Sequence, residues 1–397
     1  MYNEFKGKVI IEYMASSVKN QNSELKIRNS NFELMRIVSM FFIVIYHIII
    51  HGGVLENSHG TTHFALSIIL AICVVHVNSF ILVTGYFQCK SRLKFSKVIQ
   101  LNNSIWFYTV SIVLFFIIFK GAIFSSNDLL KTFLPISYND YWFLTNYLIL
   151  YLISPILNTV INNIDEKKFK RIIVLLLFIE SILSTLTNSG FFSVSQGYSL
   201  YHFIFLYFVG AFLRNYPIED WYIFKNISKK ALQLISMFIF FLMAFVNIIN
   251  QAASKELLNM HPIVAEVGTI FSNSFMAYNN PLVIIQTIAF FIFFSTLNLN
   301  NKFINYISSA TIGIYLIHDN NNVRNVLYKF LGFKGGNYSI MILGKILVCA
   351  ILIFVSCLII ELIRKFIFKL IYNTKIAKKN RVWYRNYIKS LGFDINW

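Results

Sequence analysis

The chain has 397 residues, of which 57% are hydrophobic and only 13% are charged. Soluble domains carry about 25% charged residues, so this composition excludes an ordinary soluble protein. The formal net charge of +18 does not indicate a nucleic-acid-binding protein, because the Lys and Arg residues lie between long apolar segments and are not clustered for DNA. The sequence therefore predicts an all-α, polytopic membrane protein.

Apolar segments long enough to cross a bilayer recur along the whole chain. At ~20 residues per span, the sequence predicts about ten membrane-spanning helices, at Glu33 to Ile50, Thr62 to Phe87, Leu101 to Phe124, Tyr141 to Ile161, Arg171 to Thr187, Ser199 to Leu213, Ala231 to Asn250, Pro281 to Leu297, Phe303 to His318 and Ser339 to Ile363. Most Lys and Arg residues lie on the side of the N-terminus. The opposite side holds only Lys120, Lys131, Lys255, Arg324, Lys329 and Lys334. The positive-inside rule then predicts an even number of spans with both termini in the cytoplasm.

Three regions follow from these spans. Residues 1–30 are predicted to be a mobile cytoplasmic arm, residues 31–363 the membrane domain, and residues 364–397 a basic cytoplasmic tail. The longest outer loop, Gln251 to Asn280, contains Phe271, Phe275 and Tyr278. It is interpreted either as a partly buried lid over a site or as an ordinary loop at the membrane surface.

The four cysteines form no CxxC pair and lie in or beside apolar segments, at Cys73, Cys89, Cys349 and Cys357. They are interpreted as small buried core residues. No convergent set of ligands is visible in the spacing, so the sequence predicts no metal site.

Four ionisable residues interrupt the first span, and they share one side of the helix. At ~100° per residue, Arg36 and His47 are eleven positions apart and point within ~20° of each other. Glu33 and His51 lie about 60° to either side of that direction. Because ionisable groups in a span usually face a bundle interior or a water-filled cavity, this stripe predicts a functional site.

The stripe connects two depths of the membrane, since His47 lies ~16 Å along the helix axis from Arg36. Arg36 could hold an anionic donor that enters from the cytoplasm, with Glu33 as the partner that fixes its pose. His47 could deprotonate a hydroxyl group arriving from the other side. The alternatives are a juxtamembrane ion pair for Glu33 and Arg36, and a packing histidine for His47.

These residues also carry a family resemblance. Arg36 and His47, preceded by Asn31 and Glu33, resemble the first-helix signature of the acyltransferase 3 family of bacterial integral-membrane acyltransferases. Three later segments resemble the family in the same order: Asn78 to Phe87, Tyr141 to Asn158 and Ser308 to His318. The resemblance runs from about Asn31 to Ile363, and ten spans is the number it implies.

The resemblance implies transfer of an acyl group, usually acetyl, from cytoplasmic acetyl-CoA or another acyl-CoA to a hydroxyl of an envelope or exported glycan. Acyl-CoA would be a co-substrate, with no tightly bound cofactor. The acceptor would be a polysaccharide or a lipid-linked glycan, and the enzyme would be a multi-pass protein of the bacterial cytoplasmic membrane, with membrane lipids around it and no nucleic-acid partner.

The resemblance also implies roles for individual residues. His47 would be the general base or a transient acyl carrier. Arg36 would bind the donor, and Glu33 would orient Arg36. Thr84 and Gly85 would let the second span approach the site closely, although Thr84 stands where the family has Ser.

Other residues allow two interpretations each. His318, followed by Asp319, could orient a sugar or assist proton release, or could simply end a helix at the interface; its place in the matching segment makes it a candidate site residue. His51 is either a support for His47 or an interface residue.

Several further side chains suit a ligand but are explained without one. His76 and His202 are interpreted as satisfied polar groups between helices. Tyr141 and Trp142 suit sugar stacking or an aromatic belt. The basic loops at Lys90 to Lys97 and Lys225 to Lys230 could grip the phosphates of CoA, but topology alone accounts for them.

Two other functions compete with acyl transfer. In a transporter or flippase of lipid-linked glycans, the polar stripe would relay protons or substrate, but no repeated half is visible. A glycan polymerase would be a transferase without CoA. Outer loops rich in Arg would favour a polymerase, but the outer side holds only one Arg, Arg324. Saturable binding of acyl-CoA to the purified protein separates the acyltransferase from both.

Overall fold

The computed structural model describes residues 29–186, 195–258, 274–333 and 338–372, with a few further positions between 260 and 269. These residues form helices and contain no β-strand. The helices are α1 (Ser30–His51), α2 (Gly60–Cys73), α3 (His76–Gln88), α4 (Phe95–Lys120), α5 (Ser126–Phe133), α6 (Trp142–Asn162), α7 (Glu166–Leu177), α8 (Leu200–Asn215), α9 (Lys229–Leu258), α10 (Pro281–Ser295), α11 (Lys302–Ser308), α12 (Thr311–His318), α13 (Asn321–Phe330) and α14 (Ile342–Tyr372). The predicted N-terminal arm, apart from its last two residues, and the end of the predicted tail lie outside the described residues, as does Phe271 of the long loop.

In the described part of the chain, six helical stretches are long and apolar enough to cross a membrane: Ser30–His51, Gly60–Gln88, Phe95–Lys120, Trp142–Asn162, Lys229–Ser254 and Ile342–Ile371. Pro281–Ser295 is a shorter apolar helix. The predicted all-α, multi-pass architecture is confirmed. The number of ten spans and the cytoplasmic position of both termini stay predictions.

The other predicted spans are short or interrupted. In the fifth, α7 continues as a π-helical turn over Phe178–Leu183 before a last turn at Ser184–Leu186. The sixth is α8, which has 16 residues. The ninth is divided into α11 and α12 at Ser309 and Ala310. Length and hydropathy alone therefore identify fewer spans here than the sequence pattern predicts.

Helix α1 is the central element of the bundle. Its first turn belongs to one apolar cluster through Phe32 and Met35, which pack with α3, α6, α8 and α10. Its second half belongs to another cluster, built with α2, α4, α12, α13 and α14. Both clusters pack on this helix, and its ionisable residues line a cavity between the helices.

The start of α1 is fixed by side-chain hydrogen bonds. The Asn29 side chain caps the helix by accepting from the backbone N–H of Asn31. Ser30 Oγ and Asn31 Oδ1 accept from the backbone N–H groups of Asn301 and Leu299, at 2.8 Å each. These bonds join α1 to the segment between α10 and α11 and set the position of Glu33 and Arg36 along the bundle.

Helices α3 and α8 approach each other through two glycines. A Cβ on Gly85 would lie 2.3 Å from the carbonyl oxygen of Tyr207, and a Cβ on Gly210 would lie 2.2 Å from that of Leu82. Small residues allow this approach between membrane helices. The close contact of Gly85 is thus made with α8, while the preceding residue, Thr84, faces the interior cavity.

Candidate active site

One large cavity of about 1510 Å³ runs along α1 and is lined by α1, α3, α4, α6, α12 and α14. Glu33 and Arg36 line it near the start of α1, a region called here the arginine end. His47 and His51 line it near the end of α1, the histidine end. The structure therefore confirms that the four residues of the predicted stripe face one interior space.

At the histidine end, five side chains from two parts of the chain meet. His47 Nδ1 lies 3.1 Å from His318 Nε2 and 3.3 Å from Asp319 Oδ1. The His51 ring packs against the His47 ring, with centroids 4.8 Å apart. Arg324 Nη1 lies 3.2 Å from Asp319 Oδ1 and 3.2 Å from His51 Nε2. His318 and His51 are thus both in contact with His47 or its partners, and neither is an isolated interface residue.

These contacts determine which nitrogen of His47 can act as a base. His318 Nδ1 lies 2.6 Å from the carbonyl oxygen of Ile314, which can only accept, so Nδ1 of His318 carries its proton. In the neutral ring, His318 Nε2 is then an acceptor, and His47 Nδ1–H donates to it. The remaining nitrogen, His47 Nε2, is left with its lone pair, the form that a general base needs.

The α12–α13 corner supports this arrangement. Tyr141 Oη donates to the carbonyl of Leu316 at 3.0 Å and accepts from Asn320 Nδ2 at 2.9 Å. Tyr141 is buried and, unlike Trp142, does not line the cavity, so it is neither a sugar platform nor part of an aromatic belt. Asp319 lies just beyond α12, and burial raises the pKa of its carboxyl to about 6, against the opposing effect of the Arg324 guanidinium.

His47, His51 and Asp319 also form a group with metal-ligating potential. Their ligand atoms lie within 4.8 Å of one another. The spacing of the sequence did not reveal this group, because Asp319 is brought to α1 only by the fold. The Arg324 guanidinium already contacts two of these three residues, His51 and Asp319. The sequence-based expectation that the site holds no metal stays a prediction.

At the arginine end, Arg36 is held by the partner that the sequence predicts. Arg36 Nη1 donates to Glu33 Oε1 at 2.8 Å, and Ser308 Oγ donates to the other carboxylate oxygen. Glu33 is 7% exposed. The ion pair is therefore tied to the α11–α12 break as well as to α1, which a plain juxtamembrane pair would not require.

A second charged group, which the sequence pattern does not predict, lies at the same end. Glu361, Arg364, Lys365 and Lys369 of α14 line the cavity, as does Lys97 of α4. The last span was predicted to end at Ile363, with Arg364 at the start of the tail, but α14 continues to Tyr372. The Glu-x-x-Arg spacing at 361 and 364 repeats that at 33 and 36 and is the signal that could have identified this group.

An aromatic wall closes one side of the cavity towards the histidine end. It consists of Trp142, Tyr198 and Tyr278, whose ring centroids lie 4.4 to 6.0 Å apart. Tyr198 is 39% exposed, whereas Tyr278 is buried and within 3.2 Å of His76 Nε2. Trp142 thus faces the cavity, which the aromatic-belt interpretation did not predict.

The remaining histidines and the cysteines occupy interhelical positions. His76 Nδ1 donates to the carbonyl of Cys73 at 2.6 Å, and its other nitrogen faces Tyr278. His202 Nε2 lies 3.0 Å from Asn78 Oδ1, and its Nδ1 lies 3.8 Å from Glu180. All four cysteines are buried and unpaired. These positions confirm the interpretation of the cysteines as buried residues and of His76 as a satisfied polar group. The interpretation of His202 as fully satisfied is wrong, because its buried Nδ1 has no hydrogen-bond partner among the described residues.

Comparison with known proteins gives one finding. The family described as an acyltransferase domain, acyltransferase 3, matches residues 29–362, which include the polar stripe of α1, His318 and Asp319 but not Arg364. No curated protein and no solved structure gives a significant match. A match over most of the chain supports a membrane acyltransferase, in agreement with the apolar helices and the internal site. The chain therefore belongs to the acyltransferase 3 family.

Proposed function

We propose that the protein is an O-acyltransferase of the bacterial cytoplasmic membrane. It moves an acyl group, acetyl in the first instance, from cytoplasmic acyl-CoA to a hydroxyl of a cell-surface or exported polysaccharide, or of its lipid-linked precursor. The observation that carries the proposal is the single cavity that holds a guanidinium at one end and a histidine with a basic Nε2 at the other. Along α1 these groups are ~16 Å apart, so a long donor can lie between them.

The chemistry at the histidine end is a direct transfer. The acceptor hydroxyl gives its proton to His47 Nε2 as its oxygen attacks the thioester carbonyl. A C–O bond forms and the C–S bond breaks, and the proton on His47 passes to the departing thiolate. Acceptor ester and free CoA thiol are the products, and His47 returns to its neutral form.

His318 and Asp319 act as positioning residues in this scheme. Both lie next to the Nδ1–H of His47, so they hold the ring in the tautomer whose Nε2 is basic. The Asp319 carboxylate also stabilises the imidazolium that forms when His47 takes the proton. His51 and Arg324 maintain the position of Asp319.

The donor enters from the arginine end, which the predicted topology places at the cytoplasmic side. Arg36 binds the anionic part of the donor, and Glu33 with Ser308 fixes the direction of its guanidinium. The acceptor enters from the histidine end, where the aromatic wall of Trp142, Tyr198 and Tyr278 offers ring faces that suit the C–H faces of a sugar.

The experiment is proton NMR of the surface glycans from a deletion strain that carries the wild-type gene, His47→Ala, His59→Ala or no gene, at matched expression. His59 is an exposed histidine away from the cavity, so its variant is the matched control. We expect ester acyl signals with the wild type and His59→Ala only, with chain length and export retained in all four strains. A glycan that disappears or shortens with its ester content unchanged would contradict acyl transfer and indicate transport or polymerisation.

A further inference from the structure

A second glutamate–arginine pair faces the cavity at the arginine end. On α14, Arg364 Nε and Nη2 donate to the two carboxylate oxygens of Glu361, both at 2.7 Å. Tyr108 of α4 donates to the same carboxylate at 2.6 Å. Glu361 is 2% exposed. The Glu361 carboxylate therefore accepts three hydrogen bonds, two of them from the same guanidinium. Such a buried, bidentate pair has a fixed geometry, which a surface ion pair lacks.

Helix α12 seals the carboxylate on its remaining side. A Cβ on Gly313 would lie 2.4 Å from the Glu361 carboxyl carbon, so only glycine lets α12 pass this closely. The guanidinium of Arg364 lies among the rings of Phe107, Tyr108 and Phe368, at 5.1 to 5.7 Å from their centroids. Glu361 is thus enclosed, while Arg364 is held in one direction and lines the cavity.

The two glutamate–arginine pairs are linked through neighbouring residues. Ser308 donates to Glu33 of the first pair, and Ser309 accepts from Lys365 Nζ, next to the second pair, with Oγ at 2.9 Å. Lys365 Nζ is also 3.9 Å from Glu361 Oε1. The break between α11 and α12 therefore places the cationic groups of α1 and α14 around one end of the cavity.

Cationic groups outnumber carboxylates at this end. Among the described residues, the lining at this end includes five cations, Arg36, Lys97, Arg364, Lys365 and Lys369, against the two carboxylates of Glu33 and Glu361. Each carboxylate is already paired with an arginine on its own helix. A surplus of positive charge at the mouth of a cavity attracts a ligand that carries several negative charges.

We propose that Arg364, oriented by Glu361 and Tyr108 and assisted by Lys365, binds phosphate groups at the nucleotide end of the donor, opposite Arg36. This inference rests on the proposed function and assigns the phosphate-binding side chains of that site. Arginine forks match phosphate oxygens bidentately, and a guanidinium that is fixed beforehand binds with less loss of entropy. In this arrangement the acyl end of the donor points away from Arg364 and towards His47.

The experiment compares two donors, acetyl-CoA and S-acetyl-pantetheine, which carries the same thioester and no phosphate. Acyl transfer is measured with the purified full-length chain and the glycan acceptor for the wild type, Arg364→Ala, Arg364→Lys, Glu361→Gln and the control Arg171→Ala, an exposed cation away from the cavity. We expect Arg364→Ala to lower kcat/KM for acetyl-CoA by at least about tenfold more than for S-acetyl-pantetheine, mainly through KM. Arg364→Lys should recover part of the loss, since it keeps the charge and loses the fork.

The outcomes separate the inference from the proposed function. An equal loss with both donors, or no loss with either, would overturn the assignment of Arg364 to phosphate binding while leaving acyl transfer intact. A wild-type protein that transfers acetyl from neither donor would instead contradict the proposed function. Glu361→Gln serves as the readout of positioning, because it should reproduce the donor selectivity of Arg364→Ala at smaller amplitude. If Arg364→Ala does not fold, Arg364→Lys and Glu361→Gln carry the same comparison.

Discussion

The two ends of the cavity hold their functional groups by different means. At the histidine end, a chain of hydrogen bonds from the Ile314 carbonyl through His318 fixes the ring of His47. At the arginine end, a glutamate three residues earlier on the same helix holds each guanidinium. The reason is chemical: an imidazole must be kept in one of two tautomers, whereas a guanidinium is always charged and needs only a fixed direction.

This difference separates the expected effects of substitution. Changes at the histidine end should alter the chemical step and lower kcat. Changes at the arginine end should weaken binding of the donor and raise its KM.

Replacing His47 should lower the rate of acyl transfer more than any other substitution. His47→Ala removes the base, and general-base catalysis contributes about 10²- to 10⁴-fold, so kcat should fall by that order while the KM for acyl-CoA changes little. Steady-state kinetics with varied acyl-CoA measures both constants. If His47→Ala keeps its kcat and only its KM for acyl-CoA rises, His47 is not the base. The histidine end would then act in donor binding, as the arginine end does.

Replacing His318 should have the second largest effect on kcat, because His318 fixes the tautomer of His47. His318→Phe removes the acceptor for His47 Nδ1–H and, since a hydrogen bond involving a charged group contributes about 1.5–3 kcal/mol, should lower kcat roughly 10- to 100-fold. His318→Gln keeps an acceptor oxygen and should retain more activity. Equal losses in the two variants, measured at matched thermal stability, would indicate that His318 contributes packing only.

Arg36 should show the opposite kinetic pattern. Arg36→Ala removes one charge-assisted contact to the donor and should raise the KM for acyl-CoA by about tenfold or more, with a smaller change in kcat. Glu33→Gln leaves the guanidinium and loosens its direction, so the increase should be smaller. A fall in kcat as large as that of His47→Ala, without a change in KM, would show that the arginine end takes part in the chemical step.

The sequence predicts some of this arrangement and leaves the rest open for identifiable reasons. The stripe on α1 follows from the helical period, because Glu33, Arg36 and His47 lie on one continuous helix. Asp319 joins His47 only through the α12–α13 corner, and no local pattern contains that contact. Resemblance to the family pointed to His318, but its partner and its tautomer required the structure.

The second charged pair was missed for a different reason. A Glu and an Arg near the end of an apolar segment are typical of the polar residues that flank a membrane span. The sequence therefore places Arg364 in the basic tail. Two contacts seen only in the structure show that the Glu361–Arg364 pair is buried and does not merely flank the span. Gly313 packs against the Glu361 carboxyl, and Tyr108 donates a hydrogen bond to it. The aromatic wall likewise depends on a distant contact, in which the backbone N–H of Tyr278 donates to the carbonyl of Gln196.

The smallest effect is expected at that wall, and it tests which substrate enters at which end. Trp142→Ala removes a ring face beside Tyr198 and Tyr278, and aromatic contacts of this kind contribute about 0.5–1.5 kcal/mol, so the KM for the glycan acceptor should rise about 2- to 12-fold. Trp142→Phe keeps a ring face and should recover most of the affinity. The KM for acyl-CoA should stay unchanged in both variants, because the wall lies towards His47 and away from Arg36 and Arg364. An increase in the KM for acyl-CoA with that for the acceptor unchanged would reverse the two entrances, since the donor would then approach His47 from the side assigned here to the sugar.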